Sequence, residues 1–174
     1  MKKTIITLVL IAIVYMYIGV KAEEIIKIPD EAIRIRVIAN SNSEYDQEIK
    51  NDVKNEVQTY ISNLLKNATT AEEARIIITE NMKNIKNKVD IFLQKLDYNE
   101  DYKINFGLNY FPEKEYKGIK YEEGLYESLL ITLGEGKGNN WWCVLFPPLC
   151  LLEAEESEEV EYKSFVKELI EKYF

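Results

Sequence analysis

The sequence predicts an α+β domain: a mostly antiparallel sheet of about four strands, two long helices packed on one face of the sheet, and a C-terminal helix. Three observations support this class. Residues 33–39, 102–110 and 125–133 alternate apolar and polar side chains, as half-buried strands do. Two long segments between the first two strands repeat apolar residues every three or four positions. The helices are grouped between strands rather than alternating with single strands, which favours α+β over a parallel α/β sheet.

The first strand is predicted at residues 33–39, where Ile33, Ile35 and Val37 alternate with Arg34 and Arg36. The polar run 40–43 (Asn-Ser-Asn-Ser) is typical of a turn and a helix cap. A helix over 44–66 follows, with an apolar face formed by Tyr45, Ile49, Val53, Val57, Ile61 and Leu64.

A second helix is predicted to begin after Thr70, since Thr70 and Glu73 have the spacing of a capping box. Its inner face would carry Ile78, Met82, Ile85, Val89, Phe92 and Leu96. Residues 76–78, three consecutive isoleucines, also fit a short strand. The capping box and the continued helical period favour the helix.

The second half of the chain is predicted to be strand-rich. Strands at 102–110 and 125–133 are separated by a Tyr/Lys/Gly segment and a turn at Glu123 and Gly124. Residues 141–146 are a candidate fourth strand. The acidic run 153–161 lacks the spacing of a calcium loop and is interpreted as a solvated linker, leading to a helix capped by Ser157 and ending at residue 173.

The N-terminus has the features of an export signal. Lys2 and Lys3 precede the apolar run 5–20, and Val20 and Ala22 supply small residues before a cleavage point. An uncleaved membrane anchor is the alternative, although the run is short for a bilayer span. The expected organisation is therefore 1–22 as signal peptide or anchor, 23–152 as the folded domain, and 153–174 as linker and C-terminal helix, with the domain outside the cytoplasm and membrane contact only through the N-terminal segment.

Charge and composition narrow the function. The net charge of −8 argues against nucleic-acid binding, which needs a basic surface for phosphates. The chain has no histidine, so Ser–His and Cys–His nucleophile pairs and His-containing zinc sites are ruled out. No cofactor is expected from the sequence.

Residues 134–150 (GEGKGNNWWCVLFPPLC) concentrate unusual side chains. Gly134, Gly136 and Gly138 match neither a phosphate loop nor a dinucleotide fingerprint, because the required Ser/Thr and third glycine are missing. They are interpreted as a glycine turn. Trp141 and Trp142 are adjacent, so on a strand they would point to opposite faces. Either they serve as binding anchors or they pack at the sheet edge.

The two cysteines are seven residues apart, which is neither redox-pair nor zinc-knuckle spacing. In an oxidising compartment Cys143 and Cys150 are expected to pair, with two free thiols as the alternative. Pairing requires the chain to reverse between them. Pro147 and Pro148 mark the place, and a cis bond before either proline would be compatible with the reversal.

Three segments resemble one family. Residues 36–47 (RVIANSNSEYDQ), 109–112 (NYFP) and the whole of 133–150 resemble stage II sporulation protein R of endospore-forming bacteria. The resemblance runs from about residue 33 to residue 152. The run NWWCVLFPPLC is long and compositionally rare, so it is the most specific part.

The resemblance implies an intercellular signal rather than an enzyme. Members are made in the forespore and exported into the space between the two membranes around it. There they trigger a membrane-embedded aspartic protease of the mother cell, which processes pro-sigma-E. The expected partner is the extracytoplasmic part of that protease, and the candidate contact residues are Lys137, Asn140, Trp141, Trp142 and Phe146.

Two other classes remain open at this point. A secreted cell-wall hydrolase with a carboxylate pair would need no histidine, and Glu127 and Glu135 are its candidate residues. A lipid- or wall-binding module without signalling is the third possibility. The lack of a basic face counts against binding of anionic lipid.

Overall fold

The structure is a computed structural model that describes residues 5–6, 26–151 and 159–174. Over these residues three helices and a mixed four-stranded sheet form an α+β fold, which confirms the predicted class. The helices are α1 (Glu44–Leu65), α2 (Ala71–Lys95) and α3 (Glu159–Tyr173). The main strands are β1 (Ile33–Ile38), β2 (Tyr102–Phe111), β5 (Gly124–Leu133) and β6 (Asn140–Phe146), and a separate hairpin consists of β3 (Lys114–Tyr116) and β4 (Ile119–Tyr121).

The main sheet has the strand order β2-β5-β1-β6. The β2–β5 and β1–β6 pairs are antiparallel, whereas β1 and β5 run parallel at the centre. A parallel pair needs a long crossover connection, and α1, α2 and β2 supply it between β1 and β5. Strands β2 and β6 are the two edges of the sheet.

Both long helices begin at the caps that the sequence predicted. The Ser43 hydroxyl accepts the Asp46 N–H at 3.1 Å, and the Thr70 hydroxyl accepts the Glu73 N–H at 3.2 Å. The Glu73 carboxylate accepts in return from the Thr69 N–H at 2.8 Å, and this hydrogen bond lowers the pKa of Glu73. Residues 76–78 lie inside α2, so the alternative of a short strand is wrong.

The alternation along β1 separates two different cores. Ile33, Ile35 and Val37 point towards α1 and α2 and join an aliphatic cluster with side chains of both helices and of β5. The opposite face carries a smaller cluster that includes Tyr121, Val144 and, from α3, Tyr162 and Val166. We call these sides the helix face and the aromatic face.

The β3–β4 hairpin was not predicted. Its turn contains Lys117 and Gly118, both with positive φ (47° and 69°). The hairpin places Ile119 and Tyr121 over the aromatic face. The predicted export segment apart from residues 5–6, and residues 152–158 of the chain, including Ser157, lie outside the described residues, whereas residues 159–161 of the acidic run form the start of α3. Among the described residues, no helix is both long and apolar enough to span a bilayer.

Candidate functional site

The glycine turn is a loop, residues 134–139, held against the turn that follows β1. The Lys137 N–H donates to the Asn40 carbonyl at 3.0 Å, and the Gly138 N–H donates to the Ala39 carbonyl at 2.9 Å. At the other end of the loop, the Gly134 N–H donates to the Asp101 carbonyl at 2.7 Å. The loop is therefore fixed by backbone hydrogen bonds to two other parts of the chain.

Two of its glycines are required by this close approach. Gly134 has a φ of +52°, and a Cβ there would collide with the Asn40 side chain. A Cβ on Gly138 would collide with the Ser41 carbonyl. The physical reason for glycine at these two positions is thus the close contact of the loop with the 40–43 turn.

Side chains of the 40–43 turn complete the junction. Asn40 Oδ1 accepts the Glu135 N–H at 2.9 Å, and Asn42 Oδ1 accepts the Asn139 N–H at 2.6 Å. The buried Asp46 carboxylate in turn accepts from Asn40 Nδ2 at 3.2 Å. Two of the segments that carry the family resemblance, 36–47 and 133–150, therefore form one hydrogen-bonded unit. The sequence pattern of residues 36–47 predicts the end of a strand, a turn and a helix cap, and carries no sign of this contact.

The tryptophans of β6 point to opposite faces of the sheet, as predicted for adjacent strand residues. Trp141 lies opposite Val37 and packs at the border of the helix face, where Lys54 Nζ is 5.3 Å from its ring centroid. Trp142 lies opposite Arg36 on the aromatic face. Both rings are partly exposed, so each combines sheet-edge packing with surface that a partner can contact.

Trp142 belongs to a group of rings around a buried arginine. Its ring makes edge-to-face contacts with Tyr121 and Phe111, at centroid distances of 5.0 and 5.6 Å. Arg34 Cζ lies 3.4 Å from the ring centroid of Tyr126 and 5.5 Å from that of Trp142. Burial lowers the pKa of the Arg34 guanidinium. No sequence signal distinguished Arg34 from an exposed arginine.

The cysteines lie at disulfide distance, in agreement with the predicted pairing. Their Cα atoms are 5.8 Å apart, within the range that a disulfide allows. The chain reverses at the prolines, and the Phe146–Pro147 bond is cis. The 143–150 segment contributes to both cores, with Phe146 and Cys150 on the helix face and Val144 and Leu149 on the aromatic face.

The remaining contact candidates differ in exposure. Asn140 and Lys137 are exposed, and Lys137 Nζ contacts the Glu135 carboxylate at 2.6 Å, a hydrogen bond that raises the pKa of Lys137. Phe146 is buried and its ring packs on Tyr173 at 5.0 Å. Phe146 therefore supports the segment from inside, and the other four candidates lie on or at its surface.

The two candidate hydrolase carboxylates are not brought together. The Glu127 carboxylate accepts a bifurcated hydrogen bond from Arg75 Nε, at 2.8 Å to each oxygen, whereas Glu135 pairs with Lys137. The β5 residues from Glu127 to Leu133 alone span ~20 Å, more than the separation that glycosidase carboxylates have. Glu127 and Glu135 therefore do not form a catalytic pair. Within the described residues, no group of three acidic or cysteine side chains is placed to hold a metal ion.

The comparisons with known proteins decide the family. A family model described as Stage II sporulation protein R matches residues 29–156, well over half of the chain. The chain belongs to the stage II sporulation protein R family. A curated family member, Stage II sporulation protein R of Bacillus subtilis (strain 168), is 38% identical over 171 residues, which cover 92% of this chain and 76% of the relative. No solved structure matches the chain.

Membership in the stage II sporulation protein R family gives the chain a role in sporulation, and the name of the family is not that of an enzyme class. The family match includes the whole junction between the 40–43 turn and the glycine loop, together with β6 and both cysteines. The structural unit described above thus lies within the matched region.

Proposed function

We propose that this protein is an exported forespore signal that activates a membrane-embedded aspartic protease of the mother cell, and so leads to processing of pro-sigma-E. The N-terminal segment 1–22 would direct the domain into the space between the two membranes, either as a cleaved signal or as an anchor. The domain would then act by binding the protease rather than by catalysing a reaction.

The observation that carries this proposal is the architecture of the family's most distinctive segment. Residues 134–150 connect β5 to β6 and to the chain reversal that follows β6. They form a sheet edge that is held in one conformation, because the glycine loop is hydrogen-bonded to the 40–43 turn and the cysteines lie at disulfide distance. A surface held in one conformation loses little conformational entropy on binding.

The contact surface would be the outer side of β6. Trp141 and Trp142 point to the two faces of this strand, and the exposed Asn140 and Lys137 lie where the glycine loop ends and β6 begins. Partly exposed tryptophans beside polar groups are typical anchors of protein interfaces. Activation follows if this surface binds the active state of the protease more tightly than the inactive state.

Co-expression of the full-length chain with the protease and pro-sigma-E in a non-sporulating host tests the proposal. Processing of pro-sigma-E is expected only when all three are present. The same result from the protease and pro-sigma-E alone would contradict the proposed role.

Surface variants then test the site. Lys137→Ala combined with Asn140→Ala removes side chains that are exposed, and should lower processing while the domain stays folded. Trp141→Ala combined with Trp142→Ala should abolish processing, with circular dichroism to check folding. Ile91→Ala, which truncates an exposed apolar side chain on α2, is the matched control and should process normally. Normal processing by the variant with both tryptophans replaced would show that β6 is not the contact surface.

A further inference from the structure

The opposite edge of the sheet, β2, is open. Strand β2 is ten residues long and pairs with β5 in one continuous register, from Tyr102 opposite Leu133 to Phe111 opposite Gly124. Among the described residues, no strand pairs with its outer side. Its outward-facing backbone N–H and C=O groups are therefore available to another strand, although the Tyr110 carbonyl already accepts a hydrogen bond from Arg36 Nη1 at 3.1 Å.

This edge lacks the features that usually prevent strand addition. Exposed edges are commonly protected by prolines, bulges or repeated charges. Strand β2 contains no proline, shows no shift of register, and carries Lys103 as its single charged residue. By contrast, β6 has a register shift near its end and is followed directly by Pro147.

An apolar patch lies along this open edge. Leu108 is 71% exposed, Tyr110 is 54% exposed, and Leu125, opposite Tyr110 on β5, is 65% exposed. All three point to the helix face, next to the Arg75–Glu127 ion pair. Clustered exposed apolar side chains on a folded domain typically mark a contact surface.

Gly107, at the middle of β2, has no role within the chain that explains it. Its φ is not positive, and a Cβ at this position would meet no atom within 4 Å. Glycine in a strand interior weakens the strand and often marks a place where another backbone approaches closely. A Cβ points out of the plane of the sheet, so this free space lies over the aromatic face of β2, beside the open edge.

We propose that two copies of this protein pair through β2, antiparallel, about a two-fold axis at Gly107. In this register Leu108 lies opposite the second copy's Phe106, and Tyr110 lies opposite the second copy's Ile104. On the other face, Asn105 and the second copy's Asn109 are opposite each other. Asn109 Nδ2 donates within its own chain to Ser128 Oγ at 2.9 Å, so the contact across the axis would use Asn105 Nδ2 as donor and Asn109 Oδ1 as acceptor.

The charges of the strand fit this self-pairing. Lys103 lies opposite the second copy's Phe111, so no like charges face each other across the axis. The resulting eight-stranded sheet is continuous, and the apolar patches of both copies lie on the same side of it. A two-fold interface uses one surface twice, which a self-complementary strand satisfies.

Cross-linking of the full-length chain, exported into an oxidising compartment, tests the axis. A Gly107→Cys variant places the two new thiols opposite each other, so a dimer resistant to non-reducing electrophoresis should form. The new side chain has open space in the monomer, so the fold should be kept. A matched control, Tyr45→Cys, carries its thiol on an exposed position of α1 and should give roughly tenfold less dimer, since cysteines more than ~7 Å apart cannot pair.

The register gives a second test. Asn105→Cys and Asn109→Cys should cross-link when the two variants are co-expressed, and much less when either is expressed alone. Adding Leu108→Lys should abolish every one of these cross-links. Equal cross-linking of Gly107→Cys and Tyr45→Cys, or a monomer at all concentrations in sedimentation equilibrium, would overturn the proposal and leave the β2 edge to a strand of another protein. Pro-sigma-E processing is scored separately, so a monomeric yet active protein would contradict this inference alone.

Discussion

The two faces of the sheet are built from different chemistry, although one strand supplies both. On the helix face, β1 contributes Ile33, Ile35 and Val37 to an aliphatic core. On the aromatic face, the same strand contributes Arg34, which is 1% exposed and surrounded by rings. The helix face has the composition expected of a stabilising core. The aromatic face keeps a buried charge that is costly for stability alone, and it supports Trp142.

The largest effect should come from the helix face. Ile35→Ala removes a fully buried side chain at the centre of the aliphatic core, and should lower the free energy of unfolding by about 2–5 kcal/mol. Denaturant unfolding followed by circular dichroism measures the change. A loss below about 1 kcal/mol would mean that the core relaxes around the cavity and that the two faces differ less than their composition suggests.

The second-largest effect on stability should come from residues 143–150, which contribute side chains to both cores. Replacing Cys143 and Cys150 together by serine should lower the free energy of unfolding by roughly 2–3 kcal/mol, because the cross-link restrains the unfolded chain. The comparison is with the wild-type protein before and after reduction. If reduction leaves the wild-type midpoint unchanged, the cysteines are not bonded in solution.

Arg34 should respond differently from Ile35. Its Nε and Nη1 have no hydrogen-bond partner among the described residues, so Arg34→Met, which keeps volume and removes the charge, should change stability by less than about 1.5 kcal/mol in either direction. Arg34→Ala should cost more, because it also opens a cavity. Equal losses for the two variants would show that the guanidinium itself stabilises the aromatic face.

The smallest effect is a pH dependence on the helix face. Burial raises the pKa of Tyr98 to about 12, and its hydroxyl has no hydrogen-bond partner among the described residues. The unfolded phenol ionises near pH 10, so this tyrosine stabilises the fold fully below pH 10, and that contribution is lost as the pH rises towards 12. Tyr98→Phe should leave stability at pH 7 nearly unchanged and reduce the slope of stability between pH 10 and 12. If the slope of stability against pH is unchanged in this variant, other titratable groups cause the loss of stability at alkaline pH.

Local patterns predicted most of the secondary structure. The helix predicted at 44–66 is observed as Glu44–Leu65, and the strand predicted at 102–110 is observed as Tyr102–Phe111. Hydrophobic period and capping are properties of neighbouring residues, so a single sequence contains them. The fourth strand, proposed at 141–146, is confirmed as Asn140–Phe146.

Most of the features that the sequence did not predict depend on contacts between distant segments. The parallel pairing of β1 with β5 and the burial of Arg34 follow from tertiary packing, which no local period encodes. The β3–β4 hairpin was missed for a local reason, because Lys117 adopts a positive φ that a lysine seldom has. In the candidate site, the glycine turn and the cysteine spacing could be read from the sequence, whereas the contact of the turn with Asn40 and Asn42 could not.

That contact has a consequence for any attempt to imitate the segment in isolation. The hydrogen bonds from the Glu135 and Asn139 amides reach acceptors 95 and 97 residues earlier in the chain. The conformation of the glycine loop therefore depends on the folded domain and is not determined by residues 134–150 alone. A synthetic peptide of residues 134–150 would keep the tryptophans and the two cysteines. It would lose the hydrogen-bond acceptors of Asn40 and Asn42 that fix the conformation of the loop. We expect such a peptide to be a poor mimic or competitor of the folded protein.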